Sequence, residues 1–251
     1  MIEVKHVFKS FDGKKVLDDI NVVFEEGKTN LVIGSSGSGK TVMLKCLVAL
    51  YDIDEGSIIY DGRDFTTLGD PEKREIRKEF GMVFQGGALF DSQTVEENVA
   101  FPLEMFSPMS AEERRERVNF CLNRVNLQNA NKLYPSQISG GMKKRVSIAR
   151  AIALNPRYLF CDEPNSGLDP KTSILIDTLI HEITQEYNIT TIVNTHDMNS
   201  VLEIGDKIIY LNKGKKWWEG DKNEILDTDN EEINDFVYAS ELFKRIRKAS
   251  I

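Results

Sequence analysis

The chain has 251 residues, 41% of them apolar and 29% charged, and these are the proportions of an ordinary globular protein. Its formal net charge of −8 disfavours general nucleic-acid binding, because that function needs a basic face to replace phosphate counterions. No stretch approaches the roughly 18 consecutive apolar residues of a bilayer span, and no charged-then-apolar leader opens the chain. We therefore expect a cytoplasmic protein whose contact with a membrane runs through a partner.

Two stretches near the start, residues 2–7 and 16–24, alternate apolar with polar side chains on either side of an Asp12-Gly13 turn. This pattern predicts a pair of antiparallel strands. Phe11 lies at the edge of the turn, where an exposed aromatic ring can stack on a purine. A core position is the more common role for such a residue, so both interpretations stay open at this point.

A glycine-rich stretch follows a predicted strand over 29–33 and precedes a predicted helix; it reads Gly34-Ser35-Ser36-Gly37-Ser38-Gly39-Lys40-Thr41. The G-x-x-x-x-G-K-[ST] phosphate-binding loop requires this context. The glycines let successive backbone N–H groups close around phosphate oxygens, and the helix N-terminus adds partial positive charge. Lys40 is predicted to reach the outer phosphates, and the Thr41 hydroxyl is predicted to hold Mg²⁺. We therefore expect a nucleoside triphosphate as the ligand.

The helix after this loop is predicted to bury one apolar face, made of Val42, Met43, Leu44, Leu47, Val48 and Leu50. A hairpin is predicted around Asp61-Gly62, followed by a charged helix with Asp70 as its N-cap and Gly81 at its end. The short strand 82–84 then ends at Gln85. A polar residue at a strand end lies where ligands bind in an α/β sheet, although an ordinary loop glutamine is the default interpretation.

From residue 86 to about 154 the pattern becomes helical. Thr94 and Glu97 predict a capping box, and residues 112–125 place their apolar side chains on one face. Another predicted helix begins at Ser139-Gly140-Gly141. Two glycines behind a serine N-cap leave a helix N-terminus bare enough to accept a phosphate, but an ordinary capped helix explains the same residues.

An apolar run over 157–161 leads directly into Asp162 and Glu163. This order predicts a buried strand that delivers two carboxylates to the edge of the sheet. Asp162 is suited to hold Mg²⁺ through water, and Glu163 is suited to orient a water molecule and accept its proton. A solvated acidic turn is the competing interpretation, but a phosphate-binding loop needs such an acidic partner.

The rest of the predicted sheet follows in order. A tight turn over 166–169 opens the helix 171–187, and a buried strand over 189–194 ends close to His196. A lone histidine at a strand end is usually structural, but this strand belongs to the sheet that carries the nucleotide. A hairpin is then predicted over 208–219.

The tail from Asp227 carries acids at its start, bases at its end and apolar residues at helical spacing, namely Ile233, Phe236, Val237, Phe243 and Ile246. The charges complement a helix dipole, so the tail predicts an amphipathic helix. This helix either packs on its own domain or meets anionic lipid with its basic end.

In identity and in order, these segments resemble the motif series of ABC-type ATPases. The matching motifs are the Walker A loop 34–41, the Q-loop residue Gln85, the signature Ser139-Gly140-Gly141, the Walker B pair Asp162-Glu163, the D-loop 166–169 with Asp169, and the switch residue His196. The resemblance implies an α/β fold with a RecA-like P-loop core sheet, an N-terminal antiparallel β subdomain and an inserted α-helical subdomain.

The same resemblance implies how the chain is divided. A single cassette would span residues 1–225, with its core lobe over 1–87 and 155–225 and its helical lobe over 88–154. Residues 226–251 would form a C-terminal helical tail.

ABC-type ATPases work in pairs, so the resemblance implies a second copy of this chain as a partner. Two cassettes would pair head to tail and bury two ATP molecules between them. Each site would combine the Walker residues of one copy with Ser139-Gly140-Gly141 of the other. Within one copy the nucleotide would contact the loop 34–41 and Val42, with its adenine near Phe11 and Val16.

The family resemblance also assigns chemical roles. Glu163 would polarise the attacking water, His196 would contact the γ-phosphate, and Gln85 would couple the site to the helical lobe. Mg²⁺ would be held by Thr41, Gln85 and Asp162.

A narrower resemblance lies around Gln85. Residues 84–92 and 94–103 look like the ATPase subunits of Mla/Mce-type lipid transporters, and Met142 after the double glycine agrees with that group. This implies a motor that moves phospholipid or a related lipid, peripheral to the cytoplasmic face of the inner membrane. Its partners would be an MlaE-like integral membrane permease and an Mce-domain lipid-binding protein.

Two other functions stay open. The same motor serves importers of osmoprotectants, amino acids or peptides, and osmoprotectant and peptide importers also carry a methionine after the double glycine. A soluble ABC ATPase that acts on DNA or ribosomes fits less well, because this chain has one cassette, no sustained heptads and no basic stripe.

Overall fold

The structure, a computed structural model, describes residues 1–238. Within them the strands, in chain order, are β1 (Ile2–Phe11), β2 (Lys14–Phe24), β3 (Thr29–Ile33), β4 (Glu55–Tyr60), β5 (Arg63–Asp64), β6 (Phe80–Val83), β7 (Tyr158–Asp162), β8 (Thr190–Asn194), β9 (Lys207–Asn212) and β10 (Lys215–Gly220). The helices are α1 (Lys40–Leu47), α2 (Asp70–Lys78), α3 (Val95–Phe106), α4 (Ala111–Arg124), α5 (Gly140–Ala151), α6 (Pro170–Glu186), α7 (Met198–Ile204), α8 (Glu224–Asp227) and α9 (Glu231–Val237).

The strands form two sheets. The first is antiparallel with the order β2-β1-β4-β5, and it contains both hairpins predicted near the start of the chain. The second has the order β10-β9-β3-β8-β7-β6, in which β3 pairs in parallel with β8 and β9, and β7 pairs in parallel with β6 and β8. Every residue of β3 and β8 is buried, because helices cover both faces of a parallel sheet.

A helical layer lies between β6 and β7 in the chain and comprises α3, α4 and α5, which pack on one another. Thr94 caps α3 and Ser110 caps α4, each in a capping box with the glutamate three residues later. The buried residues of these helices are continuous with those on one face of the parallel sheet. The helical layer is therefore joined to the sheet by a common core, and the predicted lobe boundaries stay a prediction.

The second core lies between the two sheets and is filled by α1. Met43, Leu44 and Leu47 point into it, as predicted, alongside aromatic side chains from both sheets. Tyr60 and Tyr158 pack edge to face with ring centroids 5.0 Å apart, which links the antiparallel sheet to β7. The cysteine thiols at 46, 121 and 161 are all buried and free.

Three local predictions were wrong. Leu50 lies beyond the end of α1 with its side chain 57% exposed, so it is not part of the buried face. Gly69, and not Asp70, is the N-cap of α2, with Asp70 inside the first turn. Gly81 does not end that helix but lies within β6, where a side chain would collide with the Ala151 carbonyl oxygen.

The start of the predicted tail helix is present as α9. Ile233 and Val237 are buried against the same chain, and the Phe236 ring packs on Tyr210 with centroids 5.3 Å apart. The remainder of the predicted helix, including Phe243 and Ile246, lies outside the described residues. Within residues 1–238, no helix combines the length and the apolar character that a membrane crossing requires.

Candidate nucleotide-binding and hydrolysis site

A cleft of about 1200 Å³ opens at the carboxyl ends of β3, β7 and β8, where open α/β sheets bind their ligands. Its lining includes Val16 and the whole glycine-rich loop 34–41 with Val42. Gln85, Glu163 and His196 line it as well. Ser166, Gly167 and Leu168 of the predicted D-loop line it too. Residues from five separate parts of the predicted motif series thus share one cavity.

The glycine-rich loop adopts backbone conformations that side chains disfavour. Gly34 has φ +147°, and a Cβ there would lie 2.2 Å from the Leu211 carbonyl oxygen. Gly39 has φ +108° and serves as the N-cap of α1. The helix N-terminus therefore opens directly into the cleft, with its first N–H groups free for an anion.

Two polar groups of this loop sit in a cradle that suits a phosphate. The Lys40 ammonium is almost buried and donates to the carbonyl oxygens of Gly34, at 2.7 Å, and Ser35, at 3.1 Å. Burial lowers the pKa of Lys40, while the nearby carboxylates of Glu163 and Asp162 act in the opposite direction. The Ser38 hydroxyl is buried with no hydrogen-bond partner in the described part of the chain. A bound phosphate would satisfy both groups.

Thr41 and Asp162 supply hard oxygen donors side by side at the head of α1 and the end of β7. The Thr41 Oγ1 atom lies 3.4 Å from Oδ1 of Asp162, and the same carboxylate oxygen accepts a 3.1 Å hydrogen bond from Asn194 Nδ2. No group of three or more His, Cys, Asp or Glu side chains placed to hold a metal occurs within residues 1–238. The set fits Mg²⁺ all the same, since that ion takes one or two protein carboxylates and completes its shell with water and phosphate.

Glu163, Gln85 and His196 form one hydrogen-bonded cluster. Oε2 of Glu163 accepts from Gln85 Nε2 at 3.0 Å, and Oε1 lies 3.0 Å from His196 Nδ1. The Glu163 backbone has φ +45°, a left-handed conformation that costs a non-glycine residue about 1–3 kcal/mol. The surrounding backbone holds this conformation, because Glu163 N–H donates to the Asn194 carbonyl and Ser166 N–H donates to the Glu163 carbonyl.

The predicted signature residues lie outside this cleft. Ser139 is the N-cap of α5, with its Oγ accepting from Met142 N–H, and both Ser139 and Gly140 are exposed. Gly141 faces α6, where an added Cβ would lie 2.7 Å from Thr172 Cγ2. Asp169 caps α6 by accepting from Thr172, and these hydrogen bonds hold the pKa of its carboxyl below the usual value. One copy therefore does not bring these residues to its own phosphate-binding loop.

The structure brings one of the two predicted adenine-contacting residues to the cleft. Val16 lines the cleft, whereas Phe11 is not among the lining residues. The Phe11 ring is 38% exposed and packs edge to face with Tyr51 at 5.2 Å. Its stacking on a purine stays a prediction.

Sequence reasoning missed three polar residues that line the cleft, namely Ser173, Asp197 and Asn199. It also missed four polar residues whose hydrogen bonds support the site, namely Asn165, Asp177, Asn194 and Ser200. Asn194 could have been predicted, because it is a polar residue at the end of a buried strand. Gln85 was predicted from the same feature at the end of another strand. The others carry no such signal, since their partners lie on different elements.

A family model described as ABC transporter matches residues 17–166. The chain belongs to the ABC transporter family. The predicted α/β cassette is confirmed by the dimeric ATP-binding cassette MJ0796, solved in a post-hydrolysis state bound to ADP and Pi. This structure superimposes with a TM-score of 0.80 at 37% identity, over 88% of this chain and 99% of that one. The ABC cassette described here is thus an ATPase.

Relatives named as transport proteins align with nearly the whole chain. The chain is 38% identical over 242 residues to the methionine import ATP-binding protein MetN of Clostridium tetani, and this alignment covers 96% of the chain and 76% of that protein. MetN of Haemophilus ducreyi is 41% identical over 90% of this chain and 67% of its own length. The probable ribonucleotide transport ATP-binding protein mkl of Mycobacterium leprae is 36% identical over 94% and 68%. These names support the ABC transporter resemblance but not its narrower form, the Mla/Mce lipid group.

Proposed function

We propose that this ABC ATPase is the motor subunit of a membrane importer, with a small solute of the amino acid class as its cargo. The observation that carries the hydrolytic part is the Glu163 cluster, which faces the Lys40 loop across one cleft. The cargo class is supported by the methionine import proteins among the relatives. The cassette would act from the cytoplasmic face of the membrane, peripherally and through its permease.

The residues of one copy divide the chemistry among them. The loop 34–41 would bind the triphosphate with backbone N–H groups and the Lys40 ammonium, and Thr41, Asp162 and Gln85 would hold Mg²⁺. The metal neutralises charge on the phosphates when it is bound. Glu163 would orient a water molecule and accept its proton, because its two carboxylate oxygens are already fixed by neighbours within the cleft. His196, hydrogen-bonded to Glu163, would contact the γ-phosphate.

A second copy of the chain would complete each site. The N-terminus of α5, with Ser139, Gly140 and Gly141, is exposed and carries the free N–H groups and dipole that bind phosphate. It does not reach the cleft of its own copy. Head-to-tail pairing would place it opposite the phosphate-binding loop of the partner, and the solved relative with ADP and Pi is itself dimeric.

An apolar groove supports the proposed permease contact. It has a volume of about 530 Å³ and lies directly beyond Gln85, with aromatic side chains along it. Phe84, Phe90 and Phe106 are all more than a third exposed. A short helix of an integral membrane partner fits such a groove, because its apolar face would cover rings that water now contacts.

The hydrolytic roles are tested with two substitutions in the full chain. Glu163→Gln keeps the shape of the side chain but removes the base, so we expect MgATP binding to be retained and turnover to fall by about a thousandfold. Lys40→Ala is expected to weaken nucleotide binding, because it removes a phosphate-facing charge. Hydrolysis at the wild-type rate by Glu163→Gln would show that another group is the base.

The lipid interpretation is a second candidate function, carried by the residues 84–92 and 94–103 that look like Mla/Mce-type ATPases. In that case the partners would be an MlaE-like permease and an Mce-domain protein. Purification of the cassette with its membrane partner separates the two, since mass spectrometry of the complex identifies the permease and any bound lipid. We expect ATPase stimulation by an amino acid with its binding protein. Stimulation by phospholipid alone would favour the lipid candidate, and recovery with ribosomes but no membrane protein would overturn both.

A further inference from the structure

We propose that Asp177 is a positioning residue that holds the loops of Glu163 and His196 in register, through Asn165 and Ser200. This inference rests on the hydrolytic roles proposed above for Glu163 and His196. The residues that carry the proposal lie neither in the loop 34–41 nor in α5.

Asp177 lies on α6 with its side chain only 3% exposed. Its Oδ2 atom accepts a 2.7 Å hydrogen bond from Ser200 Oγ and a 3.1 Å hydrogen bond from Asn165 Nδ2. Asn165 Nδ2 also lies 2.9 Å from Ser200 Oγ, so the three side chains close a buried ring of contacts. The carboxylate is thus the common acceptor of two different chain segments.

Those two segments carry the predicted catalytic residues. Asn165 follows Glu163 by two residues and lines the cleft. Ser200 follows His196 by four residues and lies in α7, whose N-cap is Asp197. Since Glu163 and His196 are only 3.0 Å apart, a shift of either segment would break their contact. Asp177 fixes both segments to the long helix α6.

The cost of this arrangement argues for a role beyond packing. A buried carboxylate is expensive unless it is fully hydrogen-bonded, and Oδ1 of Asp177 has no partner in the described part of the chain. The negative charges of Asp197 and Glu203 oppose its ionisation further. An apolar residue of similar size would remove these costs, so stability alone does not explain an acid here. The two hydrogen bonds that Asp177 accepts do explain it, because they join the segments that carry Glu163 and His196.

The test compares Asp177→Asn with Asp177→Leu in the full chain. The asparagine retains one oxygen that can accept from Asn165 and Ser200, whereas the leucine has the same branching and number of heavy atoms but no acceptor. We expect Asp177→Leu to lower kcat about tenfold or more, since small misplacements of catalytic groups cost that much, with nucleotide affinity within about twofold of wild type. Asp177→Asn should keep kcat within about threefold. A wild-type kcat in Asp177→Leu, or parallel losses of affinity and kcat, would overturn the proposal.

Asn165→Ala and Ser200→Ala decide the matter if the leucine variant does not fold. Each removes one donor to Asp177, and we expect each to lower kcat. Because the three side chains act as one unit, the double variant should be no slower than the slower single variant, within about twofold. Losses that multiply would mean independent roles and would refute the ring as a unit.

Two further variants distinguish a positioning role of Asp177 from a general loss of stability and from failure of the proposed hydrolytic role. Thr184→Val is the matched control, since Thr184 is a buried polar residue of the same helix that bonds Ile180 and Thr191 away from the cleft. It should lower Tm without changing kcat. Glu163→Gln is assayed in the same series. If that variant is inactive while the variants at 165, 177 and 200 are unimpaired, the positioning role fails and the proposed hydrolytic role stands; if it is active, the hydrolytic role fails first.

Discussion

Two acidic residues close to the cleft lie in opposite environments. Glu163 accepts its hydrogen bonds at the edge of the cavity, where solvent and ligand can reach it. Asp177 is enclosed, and burial raises the pKa of its carboxyl to about 6 in spite of the donors Ser200 and Asn165. Their environments therefore fit their proposed roles, with Glu163 as the base and Asp177 as the residue that positions it.

The raised pKa of Asp177 predicts a pH dependence of stability. The native state binds the proton more tightly than the unfolded chain does, so the free energy of unfolding falls as pH rises from 3.8 to about 6, and stays lowered above. The full penalty is about 3 kcal/mol. Asp177→Asn removes it, so the variant should be the more stable protein at pH 8.

Urea unfolding of wild type and Asp177→Asn at pH 5 and pH 8 checks this expectation. The advantage of the variant should grow by more than about 1 kcal/mol between the two pH values. An advantage that does not depend on pH would mean that Asp177 has an ordinary pKa in the folded protein.

At the scale of the element, α5 holds the loop that follows β6. Three of its side chains, Lys144, Ser147 and Arg150, donate to main-chain carbonyls of that loop. The acceptors are Gln85 for Lys144, Gly87 for Ser147 at 2.9 Å, and Gly87 and Ala88 for Arg150 at 2.8 Å each. These hydrogen bonds connect the proposed signature residues at the N-terminus of α5 to Gln85 through one helix.

Lys144 is the most informative of these donors. It is 6% exposed, and burial lowers its pKa while the nearby charge of Glu163 acts in the opposite direction. Lys144→Met keeps most of the unbranched apolar stem and removes the donor. We expect kcat to fall about tenfold with little loss of Tm, because Gln85 loses its anchor while a desolvated charge is also removed. Lys144→Gln should restore part of the rate. Steady-state hydrolysis and thermal unfolding provide the two readouts.

Lys143→Met is the control for that experiment, because it makes the same change one residue earlier on the same helix. It should leave kcat and Tm unchanged. Equal losses of kcat in both variants would show that any methionine at this part of α5 impairs the protein. The proposed anchoring role of Lys144 would then be wrong.

At the scale of the whole molecule, one copy holds half of the proposed site. The loop 34–41 and the Glu163 cluster line the cleft, while the exposed residues Ser139 and Gly140 lie outside it. Head-to-tail pairing of two copies would bring the halves together. The bound nucleotide would then contact both copies and supply most of the contact between them.

This arrangement predicts that pairing depends on nucleotide. Glu163→Gln with MgATP should form a dimer, since bound nucleotide is not hydrolysed, and Ser139→Arg added to it should abolish the dimer by blocking the N-terminus of α5. Light scattering after size-exclusion chromatography measures the mass. Ser136→Arg, at an exposed serine three residues earlier, is the control and should leave the dimer intact. A Glu163→Gln chain that stays monomeric with MgATP would contradict the pairing.

The parts of the site that the sequence predicted are those whose geometry is local. The glycines of the loop 34–41 set its backbone, and the following helix supplies its dipole, so eight consecutive residues specify the shape of the predicted phosphate cradle. Capping boxes such as Thr94 with Glu97 were readable for the same reason. The errors at Gly69 and Gly81 arose where a glycine can serve as cap, terminator or strand residue with equal ease.

By itself the sequence determined the family and predicted the nucleotide loop and the order of strands and helices along the chain, because each is read from short local motifs taken in chain order. Tertiary structure alone decided which distant side chains meet. Glu163 and Gln85 are 78 residues apart in sequence, and Asn165 and Ser200 are 35 apart. Such contacts depend on the order of strands in the sheet and on the packing of α6 and α7 against it, and no local pattern of residues encodes these.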